Sequence, residues 1–316
     1  MIDGPDAAGE GASGDPTYYD RPVLKEPVWI WAVPAYFYAG GAAGAAATLG
    51  AAAQAIDSRG LEGLIRWCRW IAAAGTAAGT GLLIHDLGRP ERFLNMLRVF
   101  RPTSALNIGS WVLAIATPMA AASALPLRRG GAAGRMANAA GLLSGITGLP
   151  LVGYTGVLLS NTAVPVWQES RRALPPLFVA SAVSSAASLL ALMSLAPEEH
   201  LVVRRFGVLG NLAELGAAAA FESQASRVER VGRPLREGLS GSLWTWAKAM
   251  TATSLCVSIL PAGGRRLRLL SGLLGTAGGI LLRFAVVSAG KASTRDPRAT
   301  FHMQRADRPE GLPPGP

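Results

Sequence analysis

Five side chains that could do chemistry fall inside long apolar stretches of this 316-residue sequence. They are Tyr36, Tyr154, Glu214, Lys248 and Arg283. A charged group inside a membrane is costly, so ionisable residues in such stretches are candidates for function. A carboxylate can take up and release protons, and a phenol can donate a hydrogen bond to a carbonyl oxygen. These residue types suit a site that binds a polar head group and moves protons.

The elements that would position these residues are membrane helices. Half of the residues are hydrophobic and only 16% are charged, and a helix that spans a bilayer needs roughly 20 apolar residues. The sequence therefore predicts an all-α polytopic membrane protein with eight transmembrane helices. The eight windows are 29–53, 66–85, 106–125, 137–160, 174–196, 201–223, 240–260 and 267–289.

Polar segments flank this region at both ends of the chain. Residues 1–28 form an extramembrane N-terminal tail whose first part is acidic and rich in Gly, Ala and Pro, a composition typical of disorder. Residues 29–290 form the transmembrane domain, and residues 291–316 form a polar C-terminal tail.

The depths of the candidate residues converge on one leaflet. At about 1.5 Å per helical residue, Tyr154 and Arg283 lie roughly 9 Å from the face that bears the termini. Glu214 and Lys248 lie roughly 12–14 Å from that face, and Tyr36 enters from it at a comparable depth. This grouping predicts a pocket for an amphipathic head group.

Two further polar residues, His85 and Asp86, end the second window at the same face. Simpler interpretations stay open for every candidate. Glu214 and Lys248 could form a structural ion pair, and Arg283 could extend to the interface. The two tyrosines could be interfacial or packing residues, and His85 and Asp86 could be a helix end that meets water.

The distribution of arginine predicts the orientation. An even number of spans places both termini on one face, and the short loops of the other face carry most of the arginines. The positive-inside rule favours the short-loop face as cytoplasmic. We therefore expect a multi-pass protein of the inner or plasma membrane with extracytoplasmic termini. The net charge of +10 reflects this topology and gives no sign of nucleic-acid binding.

Histidine and cysteine positions restrict the cofactors. The three histidines are His85, His200 and His302, of which the last lies in the tail and the first two fall on opposite faces. They cannot flank one haem as axial ligands. Cys68 and Cys256 are the two cysteines of the sequence, too few to ligate an iron–sulfur cluster. We expect neither haem, nor an iron–sulfur cluster, nor another metal site in this chain.

Several segments of the sequence resemble the NrfD/PsrC family, the membrane anchors of polysulfide and nitrite reductases and related molybdoenzymes. They are PVW at 27–29, PAY at 34–36, HDLGRPERF at 85–93, RPTS at 101–104, GSW at 109–111, GYTGVLLS at 153–160, RF at 283–284, AGKAS at 289–293, DP at 296–297 and QR at 304–305. The resemblance extends along nearly all of the chain between its tails.

The resemblance implies two four-helix bundles, no bound haem, and a quinone site near the face where an iron–sulfur subunit docks. It implies that Tyr154 donates a hydrogen bond to a carbonyl of menaquinone or ubiquinone. Where other members carry Asn and His in the first helix, this chain offers Tyr36 and Tyr38. We expect Tyr36 and Arg283 to complete the quinone site with Tyr154.

These implications predict the membrane subunit of a respiratory complex, inactive alone. Its partners would be a four-cluster ferredoxin-like iron–sulfur subunit and a molybdopterin catalytic subunit. Expected proton-transfer residues are Glu214, Lys248, Asp86 and His85. Expected docking residues are Arg89, Arg92, Phe93, Arg98 and Arg101, because long loops often carry function and arginine with aromatics is enriched at interfaces.

Two other functions stay open at this stage. A proton-coupled secondary transporter or channel could use Glu214, Lys248 and Arg283, although transporters favour midplane sites and interrupted helices. The chain could also be a purely structural anchor for a catalytic complex.

Overall fold

The computed structural model describes residues 24–57, 59–125, 131–260, 264–297 and 299. Throughout these ranges the regular secondary structure is helical, which confirms the all-α class. The helices are α1 (Ala32–Ile56), α2 (Glu62–Leu87), α3 (Pro90–Met96), α4 (Ala105–Ala124), α5 (Gly131–Ser160), α6 (Pro165–Glu169), α7 (Leu174–Ala191), α8 (Pro197–Ala225), α9 (Glu229–Gly232), α10 (Gly238–Ile259) and α11 (Arg265–Thr294), with a 3-10 turn at Arg233–Leu235 after α9.

Four helices are long and apolar enough to cross a membrane: α4, α5, α7 and α11. The protein is therefore a multi-pass membrane protein. The other four long helices, α1, α2, α8 and α10, occupy the remaining predicted windows but are less apolar. Gly and Ala dominate α1, and α8 carries several charged side chains. The total of eight spans stays a prediction.

The long helices pack in two groups of four. Helices α1, α2, α4 and α5 contact one another, and α7, α8, α10 and α11 form the second group. The groups meet where α1 and α5 lie against α7 and where α1 also touches α11. A Cβ placed on Gly44 would lie 2.7 Å from the carbonyl oxygen of Gly148, so small residues let α1 and α5 approach closely.

The two ends of the described chain meet at one end of the bundle. Trp29, before α1, stacks on Trp167 of α6 with ring centroids 5.5 Å apart. The indole of Trp167 donates a hydrogen bond to the carbonyl of Val286 in α11 at 2.9 Å. Lys291 Nζ donates to the carbonyl of Trp29 at 2.6 Å. We call this the terminal end; the α7–α8 connection lies at the other, short-loop end.

The predicted tails fall only partly within this structure. Residues 1–23, 298 and 300–316 lie outside the described residues, and with them the expectation of a disordered N-terminus. Helix α11 continues to Thr294, beyond the expected boundary at residue 290. Its last turn binds the segment before α1, so the residues on both sides of this predicted boundary are packed.

Candidate functional site

The two tyrosines expected at the site lie together. Tyr36 of α1 and Tyr154 of α5 are both buried, with ring centroids 6.5 Å apart. A Cβ placed on Gly109 of α4 would overlap the Tyr154 ring, so glycine there allows the ring to lie against α4. The Tyr154 hydroxyl is enclosed and has no hydrogen-bond partner in the described part of the chain. Buried hydroxyls are normally paired, so this one is an available donor.

Arg283 lies inside the protein. It is 1% exposed, and its guanidinium lies 4.0 Å from the ring centroid of Phe178 in α7. Nη2 donates to the carbonyl of Phe178 at 3.0 Å, whereas Nε and Nη1 have no partner among the described residues. Along α11, Arg283 lies about 16 Å from the helix end at Thr294. The alternative of an arginine that extends to the interface is wrong.

Glu214 of α8 is also buried, at 1% exposure. One carboxylate oxygen, Oε1, accepts a hydrogen bond from Thr251 of α10 at 3.0 Å. The other, Oε2, has no partner within the described ranges. The positive charge of Arg283 attracts this carboxylate. The two groups form no direct ion pair among the described residues. A deep anionic group and a deep cationic group therefore share the second helix group.

Lys248 does not pair with Glu214. Its Nζ lies 2.5 Å from Oε2 of Glu222, one third of each side chain is exposed, and the ammonium also faces the Trp244 ring. Trp244 Nε1 donates to the same Glu222 oxygen at 3.2 Å. Glu222 lies two turns beyond Glu214, towards the terminal end, so the lysine reaches towards water. The alternative of a Glu214–Lys248 pair is thus wrong, and Lys248 lies outside the deep site.

Four serines on α7 were missed in the sequence. They are Ser181, Ser184, Ser185 and Ser188. Their spacing places them on one helical face, and this pattern could have been read from the sequence. Ser184 Oγ donates to Asn211 Oδ1 of α8 at 2.6 Å, and Ser188 Oγ donates to the Ser184 carbonyl. Ser184 thus meets α8, whereas the hydroxyls of Ser185 and Ser188 lie against Gly279 and Gly275 of α11.

His85 and Asp86 form a separate group at the terminal end. The exposed His85 ring lies 5.9 Å from the ring of Trp31. Asp86 Oδ1 accepts a hydrogen bond from the backbone N–H of Ile30 at 3.3 Å. Both residues therefore fasten the end of α2 to the segment that enters α1.

The loop between α2 and α4 is built around Asn107, which was not among the residues predicted from the sequence. Its Nδ2 donates to the carbonyls of Met96 and Val99, and its Oδ1 accepts from the Arg101 N–H at 2.7 Å. The sequence feature that could have identified it is an asparagine in the first helical turn after the N-cap residue Ser104. The α4 N-terminus thus holds the loop against its own bundle.

The loop divides into an exposed basic set and a buried anchor. The exposed arginines are Arg89, Arg92, Arg98 and Arg101. Phe93, which we expected at the docking surface, is 8% exposed and packs in the core. Phe93 lies on the side of the short helix α3 that packs against the core, so its ring is shielded from solvent. Leu94, Val99 and Phe100 are instead exposed apolar residues, at 64%, 56% and 60%.

Comparison with known proteins decides the family. The family model NrfD_2, described as polysulfide reductase, matches residues 17–295. This chain belongs to the NrfD family. The matched range contains all eleven helices and every candidate residue discussed above. As an NrfD-family member, it is a membrane subunit that associates with other subunits of an oxidoreductase complex. A search of curated proteins gave no significant match.

Proposed function

We propose that this NrfD-family subunit exchanges electrons between membrane quinone and an iron–sulfur partner, with Tyr154 as the hydrogen-bond donor to a quinone carbonyl. The supporting observation is the enclosed Tyr154 hydroxyl, which lacks a partner in the described part of the chain. Tyr36 forms an aromatic wall beside it. A phenol and an aromatic wall match the polar and flat parts of a quinone head group.

A bound menaquinone or ubiquinone would supply two-electron, two-proton redox chemistry. In this proposal Tyr154 orients the head group, Tyr36 packs against it, and Arg283 keeps positive charge in the neighbouring helix group. The Tyr154 hydroxyl is closed off by protein. A ligand reaches it when side chains between α4 and α5 move apart, and the Tyr154–Gly109 contact lies there.

Proton transfer is proposed for Glu214. This carboxylate has one oxygen free of hydrogen bonds within the described ranges, so it can take up a proton without breaking the Thr251 contact. Oxidation of a quinol releases protons, which require an acceptor. His85, Asp86 and Lys248 lie nearer the terminal end, where we propose that they exchange protons with water.

Docking of the iron–sulfur subunit is proposed for the loop at 89–101. Its exposed arginines together with Leu94 and Phe100 provide charge and apolar area, a composition that interfaces favour. The partners proposed are the four-cluster ferredoxin-like subunit and, beyond it, a molybdopterin catalytic subunit. In this arrangement all eight long helices span the cell membrane, and the terminal end is extracytoplasmic.

Proton-coupled transport is the second candidate. The observation that favours it is the burial of Glu214 and Arg283, each about 16 Å from the terminal end of a helix of 29 or 30 residues and so nearer the middle of that helix than its end. Transporters bind substrates and ions near the midplane. Transport predicts that Glu214→Gln stops activity while Tyr154→Phe leaves it unchanged.

The test of the quinone proposal is Tyr154→Phe in the assembled complex. The change removes one donor and keeps the ring, so the apparent quinol affinity should fall up to about tenfold, as expected for one neutral hydrogen bond. Electron transfer from an artificial donor to the iron–sulfur subunit should be unchanged. Thr147→Val is the control, because it removes a hydroxyl two turns away on the same helix that donates to the carbonyls of Leu143 and Ser144.

A second variant tests the position of the ring. Gly109→Ala forces the Tyr154 ring to shift and should weaken quinol turnover, whereas Gly81→Ala, whose Cβ meets open space, should not. Quinol kinetics that match wild type in both Tyr154→Phe and Gly109→Ala would show that Tyr154 is a packing residue.

A further inference from the structure

A cavity of about 250 Å³ lies at the short-loop end of the second helix group. It is enclosed by the end of α7, the start of α8, the end of α10 and the start of α11. Tyr36, Tyr154 and Arg283 lie towards the opposite ends of their helices. The cavity is therefore separate from the proposed quinone site.

Two arginines and a histidine line this cavity. They are His200, Arg204 and Arg268, and all lining residues are described and include no Asp or Glu. His200 Nδ1 and Arg268 Nε are buried and have no hydrogen-bond partner among the described residues. Arg204 Nη2 donates a hydrogen bond to the Ile259 carbonyl at 3.1 Å. The lining thus contains two guanidinium groups and an imidazole with unused nitrogens, and no carboxylate.

The nearest acidic residue of α8 is already engaged elsewhere. Glu199 Oε1 accepts from the Leu64 N–H at 2.7 Å, and Oε2 accepts from the Ala196 N–H at 2.8 Å. These bonds join the first turns of α2 and α8. The carboxylate therefore acts as a cap and leaves the cavity with a net positive lining.

The remaining lining combines hydroxyls inside with apolar residues at the rim. Ser258 and Ser271 are linked at 2.6 Å, and Ser254 Oγ donates to the Ser271 carbonyl at 2.9 Å. Leu201 and Leu260 line the cavity and remain 46% and 48% exposed on the outer surface. A ligand that is anionic at one end and apolar at the other matches this order.

We propose that this cavity binds the phosphate of an anionic membrane phospholipid. Arginine binds phosphate oxygens through paired N–H donors, and the first turns of the long helices α8 and α11 add positive potential. The acyl chains would lie along the apolar rim and reach the lipid-facing surface. A free phosphate has no acyl chains and would make no use of this rim. The volume is below the roughly 300–1,000 Å³ of pockets for drug-sized ligands, so it fits a head group.

The experiment measures lipid binding by the intact, delipidated complex in detergent. The probes are short-chain phosphatidylglycerol, short-chain phosphatidylcholine and inorganic phosphate, and bound lipid is counted by mass spectrometry. We expect about one tightly bound phosphatidylglycerol per chain. Arg268→Gln should weaken it at least tenfold, because a hydrogen bond to a charged group is lost. Arg266→Gln is the matched control, since Arg266 is exposed on the same helical turn and does not line the cavity.

A second variant keeps every charge in place. Ala191→Leu adds bulk at the cavity wall, so it should reduce binding as strongly as Arg268→Gln. Equal affinity of Arg268→Gln and Arg266→Gln overturns the site. Equal binding of phosphatidylcholine overturns recognition of anionic charge. Displacement by inorganic phosphate at the same concentration as phosphatidylglycerol overturns the lipid as ligand and identifies free phosphate.

Discussion

At the scale of single residues, the deep charges Glu214 and Arg283 are the most constrained part of the molecule. The guanidinium stacks on Phe178, and a Cβ placed on Gly41 would lie 3.6 Å from Nη2. Removal of one charge of a buried set leaves the other without compensation, and this is more costly than the set itself. The two residues should therefore be coupled in stability although no ion pair joins them.

A double-mutant cycle tests this coupling. We expect Arg283→Gln alone to lower the free energy of unfolding by roughly 1–3 kcal/mol, because the buried Phe178 carbonyl loses its donor and Glu214 loses a nearby cation. The double variant Arg283→Gln/Glu214→Gln should recover part of that loss. Chemical unfolding of the purified protein in detergent measures both values. Strict additivity of the two single changes would contradict the coupling.

At the scale of elements, the loop at 89–101, here called the α3 platform, is anchored to the bundle at several points. Asn107 fixes its backbone from α4, Arg92 Nη1 donates to the Leu87 carbonyl at 3.0 Å, and Phe93 fills the core below. Loops held this firmly can present charge at fixed positions to a partner. The exposed arginines therefore have a geometry that suits docking.

Charge reversal tests the platform. We expect Arg89→Glu/Arg92→Glu to release the iron–sulfur subunit from membranes, because a repulsive charge replaces an attractive one at the proposed interface. Co-purification through a tag on this chain measures retention. Arg171→Glu/Arg172→Glu is the control, because this exposed pair lies at the same end of the bundle in another loop. Equal retention in both variants would argue against docking at α3.

A second element-scale contact joins the segment before α1 to the end of α11. Arg295 donates two hydrogen bonds to Glu26, at 3.0 and 3.2 Å, and they hold the pKa of Glu26 below its ordinary value of 4.5. A lowered pKa in the folded state means that the contact stabilises at pH above 4.5 and is lost as the pH falls through the lower folded value.

Hydrogen exchange of residues 24–31 checks this pH dependence. We expect faster exchange there at about pH 3 than at pH 6, after correction for intrinsic rates, with α1 unchanged. Glu26→Gln should exchange fast at both pH values. Glu198→Gln, an exposed site in α8, should behave as wild type. A wild-type segment equally protected at both pH values would show that Trp29 packing alone holds it.

At the scale of the whole molecule, the bundle has two chemically different ends. The terminal end carries the α3 platform and the tyrosine pair, whereas the short-loop end carries the cationic cavity between α7, α8, α10 and α11. Orientation in the membrane decides which compartment each end meets. The arginine-rich short loops favour a cytoplasmic short-loop end.

Reporter fusions test the orientation. A C-terminal alkaline phosphatase fusion should be active and a fluorescent-protein fusion dark, because the positive-inside rule places the terminal end outside. Fusions inserted within residues 192–196, between α7 and α8, are the control and should give the opposite pattern. A reversal at both sites would place the α3 platform in the cytoplasm.

The sequence by itself determined the helical class, the positions of the long helices and the family. These features depend on local composition, because the energy of placing a segment in lipid is a sum over its own residues. Tyr36 and Tyr154 were also predictable as neighbours, since both were expected at one leaflet. Family motifs then gave Tyr154 an expected role that hydropathy cannot supply.

The tertiary structure decided which polar groups meet. Lys248 faces Glu222 instead of Glu214, and Phe93 points inward, because helix rotation and neighbouring elements set side-chain partners. Arg283 lies over the Phe178 ring inside the bundle, and α11 continues beyond its apolar window to contact Trp29 and Trp167. The cavity at His200 and Arg268 depends on four helix ends that converge from distant parts of the chain. Such convergence is a property of packing, which composition along one segment does not contain.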